Sequence, residues 1–267
     1  MVRLFLKHSL CSTNGPKSEQ QGAEGAGKAL RGAEPFDFGG KSSSRYTSPV
    51  MSPKYPRTAH LPYSPGGTSD DRRVESVASF LGTSLVLTEK MDGSNVCLES
   101  EVVFARSHAS APNHPSFNAL KAMHAGLKGR IPAGIQVFGE WLFAKHSIAY
   151  NELPSYLMVF GVRDLTNGVW ASWTEVEMWA EELGVTTVPV LAREESITRA
   201  SKLQTLVESM AAMPSRCGGA REGLVVRKAG EFKDEAFATS VVKWVRKGHV
   251  QTADHWKTQE IIRNVTV

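Results

Sequence analysis

Cysteine is scarce in this chain: three in 267 residues, at Cys11, Cys97 and Cys217. They stand far apart, are odd in number and form no Cys-x-x-Cys pair, so neither a disulfide framework nor a cysteine zinc site is written here. Cys97 falls in an apolar stretch and reads as a small core residue. A reducing compartment follows by default, and a cytoplasmic location is expected. Long apolar runs are missing too. None reaches the length of a membrane span, and no membrane partner is expected. No internal repeat is found, which removes the solenoid architectures. Charge of one sign does not dominate: the net value is +4 and the pI about 8.9. That mild basicity is compatible with a nucleic acid or nucleotide and equally with a plain solvated surface.

What is present is ordinary globular material, 41% hydrophobic and 22% charged. From Ser12 to Ser52 the sequence is Gly, Ser, Ala and charge with few large aliphatics, so residues 1–52 read as a disordered or loosely attached tail. Met1–Leu10 carries Arg3 and Lys7 in an apolar stretch and could begin an organelle transit peptide; Glu19, Glu24 and Glu34 argue against it. One domain is expected over 53–267. The spacing predicts a helix over Thr68–Leu81, boxed by Thr68 and Asp71, with further helices at Ser116–Leu127, Thr174–Leu183 (boxed by Thr174 and Glu177) and Thr198–Met210. His124 reads as a half-buried packing residue of the second. Strand signals lie at Ser84–Thr88, Ser94–Leu98, Glu101–Arg106, Ile135–Leu142, Tyr156–Val162, Val185–Leu191, Leu224–Lys228 and Val241–Arg246. The order is α+β with mostly antiparallel neighbours, not a regular βαβ alternation.

Lys90 stands between two of these strands, in Thr88-Glu89-Lys90-Met91-Asp92-Gly93-Ser94-Asn95. A strand-edge lysine held neutral is an amine nucleophile. Asp-Gly is also a common hairpin turn pair, with a flanking surface lysine. Three later strands carry charge where a core strand is apolar: Glu140 in Val137-Phe138-Gly139-Glu140-Trp141, Glu222 in Arg221-Glu222-Gly223-Leu224-Val225-Val226-Arg227, and Lys243 in Val241-Val242-Lys243-Trp244-Val245-Arg246-Lys247. Taken singly, each can be an edge-strand charge facing solvent.

In order, Lys-x-Asp-Gly-Ser-Asn, Phe-Gly-Glu, Met-Val-Phe-Gly-Val-Arg-Asp, Glu-Gly-Leu-Val-Val-Arg and Val-Lys-Trp-Val-Arg resemble the lysine-dependent nucleotidyltransferase superfamily of ATP-dependent ligases and capping enzymes. Within it the chain looks most like the ATP-dependent RNA ligases, from about Tyr55 onward. The resemblance implies an α+β nucleotidyltransferase fold, ATP-grasp-like, the adenylation domain of ligases, with mostly antiparallel sheets and no OB-fold domain. It implies ATP and Mg²⁺ or Mn²⁺ as cofactors, RNA with 5′-phosphate and 3′-hydroxyl ends as partner, and no obligate protein partner.

By that resemblance Lys90 attacks the α-phosphate and carries AMP, Glu140 accepts from the ribose hydroxyls, and Phe160 stacks on adenine, where a simple core phenylalanine is the alternative. Glu222 positions the metal. Lys243 offsets phosphate charge, and Arg106 contacts phosphates unless it is a plain surface arginine. Glu89 and Asn95 fall in the nucleotide-binding set by the same likeness. The last motif of the family has a second lysine on one face; here Val245 takes that place, and strand alternation offers Lys247 rather than Arg246 as substitute. The residues after Lys247 are too few for the OB-fold that DNA ligases and capping enzymes attach. A minimal DNA ligase and a weakly catalytic RNA-end-binding module are the other readings. His60 reads as a loop histidine with the nucleotide as alternative, and Trp256 in the His249–Lys257 segment as the packing residue of a surface helix or a base-stacking platform.

Overall fold

Period-two alternation of apolar and polar side chains builds two sheets in this protein. The computed structural model describes residues 52–67, 71–108, 110–248 and 260–267. In chain order the elements are β1 (Ala59–His60), β2 (Leu85–Lys90), β3 (Ser94–Leu98), β4 (Val103–Ala105), α1 (Asn118–Leu127), β5 (Ile135–Trp141) and β6 (Leu157–Asp164). There follow β7 (Val169–Trp170), α2 (Trp173–Leu183), β8 (Thr186–Thr187), β9 (Val190–Glu194), α3 (Ala200–Ala211), β10 (Gly223–Lys228), β11 (Phe232–Lys233) and β12 (Val241–Val245). Among the described residues, the first sheet runs β1-β12-β10-β2-β9 and the second β11-β7-β6-β5-β3-β4, with β8 added beside β6. All pairings are antiparallel except β1 with β12 and β6 with β8. The expected α+β class with mostly antiparallel sheets is what the chain forms.

Three apolar clusters order the layers. Leu85, Leu87, Leu224, Val226 and Val242 turn to one side of the first sheet and pack on Leu203 and Val207 of α3. Val96, Val137 and Trp141 of the second sheet pack on Leu120 of α1 and Val176 of α2. Between the sheets lie Cys97, Phe138, Trp170, Phe237 and Val241. The opposite side chains of β2, β10 and β12, namely Thr88, Lys90, Val225, Arg227 and Lys243, face a cavity between the two sheets.

Two helix readings change. The Thr68–Leu81 helix does not form: Thr68 lies outside the described residues, and only Ala78–Phe80 makes a 3₁₀ turn. The backbone there is engaged elsewhere. His60 N–H donates to the Arg72 carbonyl, Val74 N–H donates to the His60 carbonyl, and the Arg73 guanidinium is spread over the carbonyls of Leu61, Pro62 and Ser64. The box of α2 is Ser172 with Glu175, not Thr174 with Glu177. Ser172 Oγ accepts from Glu175 N–H, and the Glu175 carboxylate accepts from Ser172 N–H. Starting there buries Trp173 and leaves Glu177 to pair with Arg193. Gly184, with φ of 66°, ends the helix as expected. His124 is buried with its Nε2 at 2.7 Å from the Glu99 carbonyl, a packing role as expected. The tail assigned to residues 1–52 lies outside the described residues but for Ser52, as does Trp256.

The segment 260–267 is held by backbone hydrogen bonds to residues 143–153 and by the side chain of Asn264. Asn264 Oδ1 accepts from Tyr150 N–H at 2.9 Å, and its amide donates to the Leu142 carbonyl at 2.8 Å. Asn264 is buried, so Asn264→Ala strands a donor and an acceptor away from water. The variant is expected to lose about 2 kcal/mol of unfolding free energy in a urea titration.

Candidate active site

One cavity of about 680 Å³ lies between the sheets, within the size range of small-molecule sites. Lys90 enters it from the end of β2. Its Nζ is 2.6 Å from Glu222 Oε1, directly before β10; the lysine side chain is 29% exposed and the glutamate 4%. Burial depresses the Lys90 amine, but the carboxylates of Glu222, Glu140 and Asp92 more than offset it, and the amine is held above the ordinary lysine range. Lys90 is therefore a charged, ion-paired lysine here, not the neutral amine that its strand-edge position suggests. Nor is Glu222 a solvent-facing edge charge. Burial pushes its carboxyl up against the pull of Lys90. Its Oε2 is buried with no hydrogen-bond partner among the described residues. An orphaned hard oxygen of this kind suits a divalent cation whose other ligands come from phosphate and water. No group of three or more His, Cys, Asp or Glu gathers among the described residues to hold a metal by itself, here or elsewhere.

The glycines of the two motifs make close approaches. A Cβ on Gly223 would stand 2.1 Å from the Trp244 carbonyl oxygen, and one on Gly93 2.7 Å from that of Trp141. The Asp-Gly pair is accordingly no exposed hairpin turn. Asp92 Oδ2 accepts the backbone N–H groups of Ser147 and Ile148, each at 2.8 Å, and Asp92 N–H donates to Tyr150 Oη. This clamps the 144–150 loop, which brings His146 to the rim, with Nε2 3.4 Å from Ser94 Oγ.

Glu140, on β5 opposite Asn95 of β3, lines the cavity and accepts from Gly93 N–H at 3.1 Å. Burial, aided by Glu222 and Asp92, outweighs the pull of Lys90 and pushes its carboxyl up to about 8. Asn95 has a buried Oδ1 without a partner among the described residues. Phe160 of β6 is half-buried beside the cavity, with Tyr55 edge-on at 5.0 Å, and Val225 lines the same space. Lys243 of β12 lies 3.7 Å from Asp71. Burial holds its amine below the usual lysine range, against the pull of Asp71 and with the help of Lys90. Arg106, exposed just after β4, also lines the cavity.

Thus Lys90, Asn95, Arg106, Glu140, Phe160 and Lys243 surround one space, with Glu222 behind Lys90. Other residues are placed differently from what the sequence suggests. Glu89 reaches the cavity with its backbone side only: its carboxylate turns to the other face of β2, where it accepts from Arg216 N–H and pairs with Arg221. Lys247 sits in the turn beyond β12 and does not line the cavity, because the strand ends at Val245 and alternation no longer applies. His60 is no free loop residue. It is buried on β1 in register with Lys243, its Nδ1 2.9 Å from Ser64 Oγ and its Nε2 3.5 Å from Asp71. Sequence reasoning missed Tyr55, Asp71, Arg72, His146 and Arg227 as cavity residues; only the order expected from Tyr55 onward hinted at the first.

The profile of the RNA ligase family matches residues 83–245, more than half of the chain. No curated protein matches the sequence. Among solved structures, the chain is similar to a Naegleria gruberi RNA ligase with PPi, at 18% identity over 74% of this chain and 57% of that one, with a TM-score of 0.50. A mutant of that ligase with ATP and Mn shares 20% identity over 69% of this chain and 57% of that one, at a TM-score of 0.47. An archaeal ATP-dependent RNA ligase shares 14% over 72% and 48%, at 0.46. The chain thus spans little more than half the length of the Naegleria ligase.

Proposed function

The chain belongs to the RNA ligase family, and from that premise we propose that it is an ATP-dependent RNA ligase joining a 5′-phosphate to a 3′-hydroxyl through a lysyl-AMP on Lys90. The observation that carries this reading is the convergence of Lys90, Glu140, Phe160 and Lys243 on one cavity. In the first step Lys90 Nζ, having lost a proton, bonds to the α-phosphorus of ATP, and the bond from that phosphorus to the pyrophosphate oxygen breaks. Next, an oxygen of the RNA 5′-phosphate attacks the same phosphorus. The P–N bond breaks, Lys90 takes back a proton and AMP-capped RNA forms. Finally the RNA 3′-hydroxyl attacks the 5′-phosphorus and AMP leaves.

The residues divide this work. Phe160 and Val225 offer flat apolar walls to adenine. Glu140 accepts hydrogen bonds from the ribose hydroxyls. Lys243 and Arg106 oppose the charge gathering on the phosphates. Glu222 grips the Lys90 ammonium through one oxygen and would hold a divalent cation through the other, which has no partner among the described residues. Such a cation, Mg²⁺ or Mn²⁺, would neutralise phosphate charge, and on binding it Glu222 would hold the lysine proton less strongly.

RNA rather than DNA is the proposed substrate, because a 2′-hydroxyl is donor and acceptor at the break. Nicked duplexes ending in a ribose at the 3′-hydroxyl should seal faster than those ending in deoxyribose, while the 5′-phosphate strand tolerates DNA. Sealing rates measured on the four combinations check this, and equal rates at both 3′ ends would make the protein a minimal DNA ligase.

A further inference from the structure

Behind Lys90 and Glu222, on the α3 side of the first sheet, stands a buried ion pair to which the reaction above gives no part. Glu89 immediately precedes Lys90, and Arg221 immediately precedes Glu222. Their side chains are 0% and 3% exposed, and Arg221 Nη2 lies 3.4 Å from Glu89 Oε2. The guanidinium also donates to the Met210 carbonyl at the end of α3 and to the Pro214 carbonyl at 2.8 Å. The same Glu89 oxygen accepts from Arg216 N–H at 3.1 Å. One fork of donors and one carboxylate thus tie together β2, the end of α3 and the 212–222 loop. That loop delivers Glu222 to its place opposite Lys90. Its outer side is fastened as well, where the Cys217 carbonyl accepts from Glu152 N–H at 3.0 Å.

Stability does not explain such a pair. Burying two charges is costly, and well-packed apolar residues of like volume usually stabilise a site as well or better. What an apolar pair cannot supply is direction: Arg221 holds two carbonyls and a carboxylate in one planar fork. The neighbours of both charged residues bear the reacting amine and its carboxylate. We propose that Glu89 and Arg221 are positioning residues that lock the 212–222 loop against β2 and so set the placement of Glu222 opposite Lys90. The catalytic consequence rests on the ligase reading; the locking of the loop does not.

The test uses the full chain carrying Glu89→Met together with Arg221→Met, which removes both charges at once. This variant should fold, with thermal unfolding close to that of the parent. Its rate of AMP uptake from ATP should fall about 100-fold, since small misplacements of reacting groups cost that much, while the KM for ATP changes less than about twofold because the adenine and ribose contacts lie on the other face. Hydrogen exchange of the 212–222 amides should quicken while that of β5 and β6 stays unchanged. Wild-type AMP uptake by the folded variant, or unchanged exchange in the loop, overturns the proposal. If the double variant does not fold, Arg221→Lys decides by the same two readouts, because lysine keeps the charge but not the fork. If the parent protein takes up no AMP, the ligase reading fails, and the exchange result alone judges the lock.

Discussion

Lys90→Ala is expected to abolish transfer of labelled AMP from ATP to the protein in the presence of Mg²⁺. Loss of a covalent nucleophile costs on the order of 10⁶-fold in rate, so no label should be seen. Lys243 is the other amine in the cavity, and burial lowers its proton affinity, so it is the residue that could take over. Its strand sets it in register with Val225, two residues along β10 from the Gly223 that pairs with Lys90, which is why no takeover is expected. Lys90→Arg separates chemistry from folding. Arginine keeps a positive charge against Glu222 but does not deprotonate, so this variant should fold and still take no label. AMP-capped RNA supplied ready-made bypasses both steps that use the amine. The Lys90→Ala protein should therefore seal it, read as joined product on a gel. Labelling of Lys90→Ala at the parental level would remove Lys90 from the reaction, and absence of labelling in the parent as well would favour a module that binds RNA ends without sealing them.

The strands of the site were legible because each carries its own signature. Leu85, Leu87, Leu224, Val226 and Val242 alternate with Thr88, Lys90, Val225 and Lys243, and that alternation alone puts the charged set on one face. It also predicts that the Glu89 side chain faces away from Lys90, while the residue still lines the cavity. The pairing of Val190–Glu194 with β2, and of Thr186–Thr187 with β6, could not be read from one apolar run over 185–191, because Val188 and Pro189 carry the chain from one sheet to the other. The Thr68–Leu81 reading failed for a similar reason. Val74, Val77 and Leu81 have helical spacing, yet backbone partners from His60 outcompete the helix, and a contact across the chain leaves no trace in local periodicity. Tyr55, Asp71, Arg72 and His146 reach the cavity from outside the motifs, through tertiary placement of this kind. Asp92 shows the opposite case, a motif residue whose role in clamping two amides of the 144–150 loop appears only once the loop is in place.

Glu222→Gln and Glu222→Ala are expected to differ in stability but not in chemistry. The carboxylate is almost wholly buried and holds Lys90 at 2.6 Å, so its removal leaves an ammonium without its main counter-charge. Breaking a fully buried pair from one side costs about 3–5 kcal/mol. Lys90 keeps some contact with water and has Glu140 and Asp92 nearby, so Glu222→Ala should lose less, about 2 kcal/mol in denaturant unfolding. Glutamine fills the same volume and can still accept from Lys90, so Glu222→Gln should lose under about 1 kcal/mol. Neither variant retains a negative oxygen for a divalent cation. Both should therefore fall about 10²–10³-fold in AMP uptake, the usual effect of removing one charge-stabilising contact at a reacting phosphate or carbonyl. The deficit should persist across a Mg²⁺ titration, since added cation cannot replace a missing ligand that also fixes the lysine. Full activity of Glu222→Gln over that titration would reduce Glu222 to a counter-ion for Lys90 and move the metal to the phosphates alone. Recovery at high Mg²⁺ would instead mean that the carboxylate binds the cation but is not needed to place the amine, which would count against the lock formed by Glu89 and Arg221 as well.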